Sequence, residues 1–227
     1  MDTLSLLKVW PLFGLRVITP SGFVLRLPDH YEIAQLAIAG SVGISQPNQR
    51  SFPSGWCDFQ KKPEEIQASI WKKQIQGMVD WDSTGAWRLD LAIFSPQDNP
   101  IGVQGIYSET CFRVARSATS VSWLCRKFHG KKIGKEIRGA ILTLGFDYLM
   151  AEEMHSGAHV DNQASLKISE HWRYSPNGTK NLSTDNKEQF PFYRRILTRR
   201  TWETIPDSVK GGYAVQGFND CKHQFGL

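Results

Sequence analysis

A chain of 227 residues with 41% apolar residues and eight tryptophans is long enough for one domain with a sizeable core and too apolar for a disordered chain. Its net charge of +5 and pI near 9.0 suit polyphosphate or nucleic-acid partners, although metabolic enzymes often carry an excess this modest. No uninterrupted apolar run approaches a membrane span, and the four scattered cysteines (Cys57, Cys111, Cys125, Cys221) lack CxxC spacing and a histidine cluster, which argues against a zinc site.

In chain order, Met1–Lys8 lacks the basic start of a secretory signal, so a cytoplasmic protein with reduced thiols is expected. Leu15, Val17 and Ile18, then Phe23, Val24, Leu25 and Leu27, flank Thr19-Pro20-Ser21-Gly22 and predict two strand segments around a turn. Asp29 is placed to cap a helix through Ile33, Leu36, Ala37 and Ile38. Prolines and glycine mark 41–62 as loop, with Phe52 and Trp56 as anchors. A helix from Glu64 to Val79 would bury Ile66, Ile70, Trp71, Ile75 and Met78 on one face. The segments 87–94 and 101–107 predict a hairpin across Pro96–Pro100, and 118–125 a third strand.

The next helix carries Ile133, Ile137, Ile141, Leu144 and Tyr148 at spacings of 4, 4, 3 and 4, a core stripe. A strand near 154–160, a helix from Asp161 to His171, a polar loop at 175–188 and a last strand over Phe190–Thr198 complete the pattern. Residues 203–227 give no clear pattern and read as a tail on a single domain covering 1–227. Helices interspersed with strands in one domain predict an α/β (α+β) fold: a mixed central sheet of about seven strands flanked by helices.

The densest chemical signal lies between the third strand and the helix after it. From 126 to 138 six Lys/Arg stand against one acid, Glu136. Gly130 and Gly134 punctuate the run. A Gly-bearing basic loop that opens a helix brings free backbone N–H groups, the positive end of the helix dipole and lysines to one point, which suits a pyrophosphate. A solvated helix start and a nucleic-acid patch are the other readings of the same charge. The spacing is neither GxGxxG nor a Walker A motif.

The run His129-Gly130-Lys131-Lys132-Ile133-Gly134 resembles the acyl-CoA pyrophosphate signature Q/R-x-x-G-x-G/A of GNAT acetyltransferases. His129 stands for the usual Gln or Arg, and Lys132 for the usual Gly. Ser122-Trp123-Leu124 sits where this family ends its fourth strand. Asp161-Asn162-Gln163-Ala164-Ser165 resembles the D-N-x-x-S segment of the RimJ/RimL-like branch. Trp172-Arg173-Tyr174 lies where Leu-Gly-Phe/Tyr is usual, with Arg173 in place of Gly.

The resemblance implies an N-acetyltransferase that uses acetyl-CoA or another acyl-CoA. Pantetheine would pair with the strand end Trp123-Leu124-Cys125, and the backbone N–H of Leu124 would stabilise the oxyanion. Lys131, Ile133, Gly134 and Lys135 would offer backbone N–H groups to the pyrophosphate, with Gly130, His129 and the Lys132 ammonium beside it. Arg126 and Lys127 would serve the 3′-phosphate or remain solvated. Asn162 would bond the pantetheine arm while also capping its helix, with Ser165 one turn on. Ser169 occupies the family's general-acid position. The usual base position falls on Thr119, so Asp90, Glu109 and His155 are candidates by chemistry alone.

The implied partners are acyl-CoA and an amine acceptor, a protein N-terminus or a small amine. A homodimer is among the assemblies implied, and nucleic acid is not the expected partner. The alternatives are a CoA-binding regulator without turnover and an acyltransferase that uses aminoacyl-tRNA.

Overall fold

A computed structural model of the chain describes residues 7–45, 51–54, 61–82 and 85–227. The expected anchor Trp56 lies outside them. The strands are β1 (Arg16–Ile18), β2 (Val24–Arg26), β3 (Trp87–Phe94), β4 (Pro100–Ser108), β5 (Ser117–Leu124), β6 (Glu153–His159), β7 (Ser175–Ser183), β8 (Gln189–Thr198) and β9 (Ala214–Gln216). The main helices are α1 (His30–Ser41), α2 (Pro63–Val79), α3 (Ile133–Thr143) and α4 (Gln163–His171). A π turn, Leu144–Tyr148, prolongs α3.

All nine strands form one sheet in the order β7-β8-β6-β5-β4-β3-β2-β1-β9. Every neighbouring pair is antiparallel except β5 and β6. Period-two alternation sends Leu89, Leu91 and Ile93 of β3 to one face, under α3. Ala92 and Phe94 go to the other face, against Ile33 and Leu36 of α1 and Ile66 and Ile70 of α2. The run Ile137–Thr143 of α3 is buried all round, because the sheet covers one side and α4 and the C-terminal segment the other.

α1 starts where Asp29 predicts. The Asp29 carboxylate accepts from Glu32 N–H at 2.8 Å, and Glu32 accepts from Asp29 N–H, forming a capping box. The expected apolar stripe of α2 splits in the structure. Ile66 and Ile70 are buried, whereas Trp71 and Ile75 are 36% and 49% exposed. A helix in an outer layer has only one covered face; at roughly 100° per residue Trp71 lies about a third of a turn and Ile75 nearly half a turn from the Ile66–Ile70 face, so neither is covered.

Two further expectations are corrected. The sheet has nine strands where about seven were expected, because both edges are longer. Residues 175–183, read as loop, are the edge strand β7, paired to β8 from Ser175 to Ser183. None of the β7 side chains is buried, so this strand is held by backbone pairing and carries no hydrophobic signal. At the other edge the tail folds back: β9 pairs with β1, and Cys221 and Phe225 are fully buried. The Trp81 indole fastens this segment by donating to Gln224 O at 2.7 Å.

Candidate active site

β5 and β6 are paired only from Ser117–Thr119 to Glu153–His155. Beyond Thr119 the two strands diverge. β5 continues against β4 and β6 against β8. The Ser120 hydroxyl, donating to His155 O at 3.3 Å, is the last link across the fork. The fork opens a cavity of about 570 Å³.

Cys125 N–H donates to Ile101 O on the β4 side. Backbone direction alternates along an antiparallel strand, so Trp123 also faces β4. Beyond the last bridge, Ser122 and Leu124 direct their N–H and C=O to the open edge. Leu124 therefore carries its backbone where the sequence expects an oxyanion donor. Trp123 and Cys125 contribute side chains instead, buried in the cluster under α1 and α2. Burial pushes the Cys125 thiol up to about 11, so it stays protonated at neutral pH.

The free edge runs straight into the basic loop. His129 Nε2 lies 2.9 Å from Leu124 O, and in the Nε2–H tautomer it donates to that carbonyl. Gly130 and Lys132 both take positive φ, 74° and 63°, and α3 begins at Ile133. No protein acceptor among the described residues meets the N–H groups of Lys131, Lys132, Ile133 or Gly134. Lys135 N–H, also expected at the pyrophosphate, is taken by Lys132 O at 3.0 Å. The lysine ammoniums of Lys127 and Lys131 both lie near the Phe128 ring, at 5.1 and 5.7 Å, so the aromatic ring gathers two cations beside the free amides. A Cβ at Gly134 would come within 2.9 Å of Ile168 Cδ1, so this glycine also lets α4 approach α3.

Asn162 and Ser165 line the opposite wall of the cavity. The Asn162 side-chain oxygen caps α4 by accepting from Ser165 N–H at 3.2 Å, which leaves its Nδ2 as a donor toward the cavity. Ser169 is buried one turn further on, and its hydroxyl donates to Ser165 O at 3.2 Å.

The candidate bases separate. His155 lines the fork with Nε2 3.2 Å from Glu153 Oε2 and Nδ1 3.4 Å from the Asn177 amide. Glu109 lies exposed at the mouth of the same cavity. Asp90 is held by Arg88 at 2.7 Å and lines a second pocket of about 230 Å³ with Trp123, Lys73 and Gln74. This pocket lies on the α2 side of the sheet and shares Val121, Ser122 and Phe52 with the fork. Gly105 makes room for Asp90, since a Cβ there would overlap the carboxylate.

Arg138, which the sequence counts as one more cation of the basic run, is instead buried in the cavity floor. The only available signal was its place between Ile137 and Gly139 in the apolar helix.

A forked strand pair with a free backbone edge, leading to unbonded amides at a helix start, defines a site for an extended thioester whose phosphates end at that helix. That is the class of acyl-CoA-dependent transferases, and the donors present fit such a cofactor. The chain belongs to the GNAT acetyltransferase family: the family's acetyltransferase (GNAT) domain matches residues 23–174. It is thereby an N-acetyltransferase with acyl-CoA as its cofactor.

Solved structures share the fold at low identity. RimL, a ribosomal L7/L12 alpha-N-protein acetyltransferase in complex with coenzyme A, is 16% identical, with 78% of this chain and 93% of that chain covered and a TM-score of 0.59. The microcin C7 self-immunity acetyltransferase MccE, in complex with acetyl-CoA and AMP, is also 16% identical, with coverages of 80% and 98% and a TM-score of 0.62. A GNAT-family acetyltransferase from Bacillus anthracis is 11% identical, with coverages of 82% and 99% and a TM-score of 0.63. Among the described residues, no helix is long and apolar enough to cross a membrane.

Proposed function

We propose that this chain transfers an acetyl group from acetyl-CoA to a primary amine by direct attack in a ternary complex. The observation that carries this reading is the continuity of the open β5 edge with the free amides at 131–134. One extended ligand spans both. RimL-like proteins make a protein N-terminus the first acceptor to test, with small amines next.

Bound acetyl-CoA supplies an activated thioester; the chain's own residues do the rest. The N–H groups of Lys131, Ile133 and Gly134 hold the pyrophosphate, with Lys127, Lys131 and Lys132 supplying charge. Leu124 N–H donates to the thioester oxygen as negative charge develops there. Asn162 Nδ2 donates to the pantetheine arm. Ser169 is the proton donor to the leaving sulfur, once its hydroxyl turns from Ser165 O. His155, oriented by Glu153 through Nε2–H, accepts the amine proton at Nδ1 once the Asn177 amide turns away. An α-amine, with a pKa of about 8, needs less help than a lysine at about 10.4, so a histidine suits an N-terminal acceptor.

The test is incubation with acetyl-CoA and a panel of N-terminal peptides and small amines, following thiol release, with calorimetry for CoA. Turnover is expected with at least one α-amine. Absence of both CoA binding and thiol release refutes the reading. Tight CoA binding without turnover across the panel replaces it with a regulatory role.

A further inference from the structure

Among the described residues Arg138 has no counter-charge. It is 3% exposed and projects from α3 into the floor of the fork between β5 and β6. Nη1 donates to Ser156 Oγ at 2.8 Å. Nε is buried with no hydrogen-bond acceptor. No carboxylate among the described residues lies within ion-pair distance of it. Arg138 also lies 5.9 Å from the Tyr174 ring, whose buried hydroxyl faces Arg138 and Ser120 without a hydrogen bond of good geometry to either. Burial holds that phenol above its ordinary pKa, against the pull of the Arg138 charge, so it stays a donor.

An arginine remains a cation in any protein environment. A buried cation without an anion is strongly unfavourable, and buried charges are ordinarily paired. Arg138 also interrupts an apolar helix that would bury an aliphatic residue at no such cost. No described residue compensates the Arg138 charge, and an anion on a bound reactant would. The phosphates of an acyl-CoA are provided for by the free amides and lysines at the start of α3. The fork is where the reacting ends meet, and a planar guanidinium fork matches a carboxylate.

We propose that the cavity takes a reactant bearing a carboxylate, on the acyl group or on the amine acceptor, and that Arg138 binds it. This rests on the acyltransferase reading above and narrows its substrate class.

Calorimetry on the full chain compares succinyl-CoA with acetyl-CoA. Thermal shifts of the CoA-saturated protein compare amino acids with their amides. If the acyl group carries the anion, succinyl-CoA binds at least tenfold tighter than acetyl-CoA. If the acceptor carries it, amino acids raise the melting temperature and their amides do not. In either case Arg138→Met lowers the carboxylate-dependent binding on the order of a hundredfold and spares acetyl-CoA binding. Equal affinities and equal shifts in the wild-type protein overturn the inference, and this arm needs no variant to fold. A loss in Arg138→Met that is the same for succinyl-CoA and acetyl-CoA also overturns it, since Arg138 then serves the thioester itself. Absence of binding by both thioesters overturns the acyltransferase reading and the carboxylate site with it.

Discussion

Lys132 stands at the start of α3 with φ 63° and ψ −2°, in the left-handed region. A residue with a Cβ adopts this conformation at a cost of roughly 1–2 kcal/mol. Lys132→Gly removes that cost. Glycine also makes the unfolded chain freer, which offsets roughly 0.4–1 kcal/mol. The balance is a gain of about 0.5–1 kcal/mol. For a domain of this size it corresponds to a melting temperature higher by about 1–4 °C. Lys132→Ala keeps the Cβ and removes the exposed side chain beyond it, ammonium included, so its melting temperature should match the wild type. Both variants lose one exposed cation from the proposed pyrophosphate site and should bind CoA a few-fold more weakly, as expected for a solvent-screened charge worth up to about 1 kcal/mol. Differential scanning fluorimetry and calorimetry, run on the three proteins together, separate backbone from charge. If Lys132→Gly melts no higher than Lys132→Ala, the strain argument is wrong. If neither variant loses CoA affinity, the ammonium does not face the phosphates.

Phe225 is fully buried against Trp81 and Trp87, so Phe225→Ala should cost about 3–5 kcal/mol in urea denaturation; a loss under 1 kcal/mol would mean that the C-terminal segment is only loosely docked. Arg199 donates through Nη2 to Phe146 O at 2.8 Å and Ala151 O at 2.7 Å, and Arg199→Met should destabilise by about 2–4 kcal/mol, with a neutral result refuting a structural role for these bonds. Burial raises the Cys125 thiol from 9.0 to about 11 and Cys221 from 9.0 to about 12. Their folded pKa values lie above the unfolded ones, so the unfolded chain loses these protons first. Their contribution to stability is complete below about pH 9 and falls as pH rises toward 11 and 12. Denaturant melts at pH 8, 9 and 10 should show the decline, and both thiols should resist alkylation at pH 8 in the native protein; rapid native labelling of either would contradict its burial.

How much was legible depended on whether a feature is local. The Asp29 cap of α1, the hairpin of β3 and β4 and the stripe on α3 are written in residues close in sequence, and the structure keeps them. β7 is written nowhere in side chains, because an edge strand wet on both faces satisfies its backbone through β8 alone. β9 is three residues whose pairing partner lies some 200 positions earlier, a relation no local pattern carries. Arg138 was visible as a charge but not as a buried one, since burial there requires both sides of α3 to be covered.

The two departures from the family's glycines point the same way. Lys132 and Arg173 each replace a glycine of the resembled motifs, and each keeps a positive φ, 63° and 59°. Both positions therefore take a backbone conformation that glycine adopts without strain. Arg173 uses its new side chain to donate to Thr204 O at 3.2 Å, tying the end of α4 to the segment after β8. Its substitution thus has a structural return, and Arg173→Gly should gain less from relief of strain than Lys132→Gly because it also loses this tie. Lys132 makes no comparable bond: its cap position has no side-chain hydrogen bond, and its side chain is exposed beside the free amides. A strained cation whose side chain bonds nothing in the fold fits the pyrophosphate role proposed for it above. A larger thermal gain in Lys132→Gly than in Arg173→Gly, paired with a CoA deficit only in the former, is the pattern this argument requires.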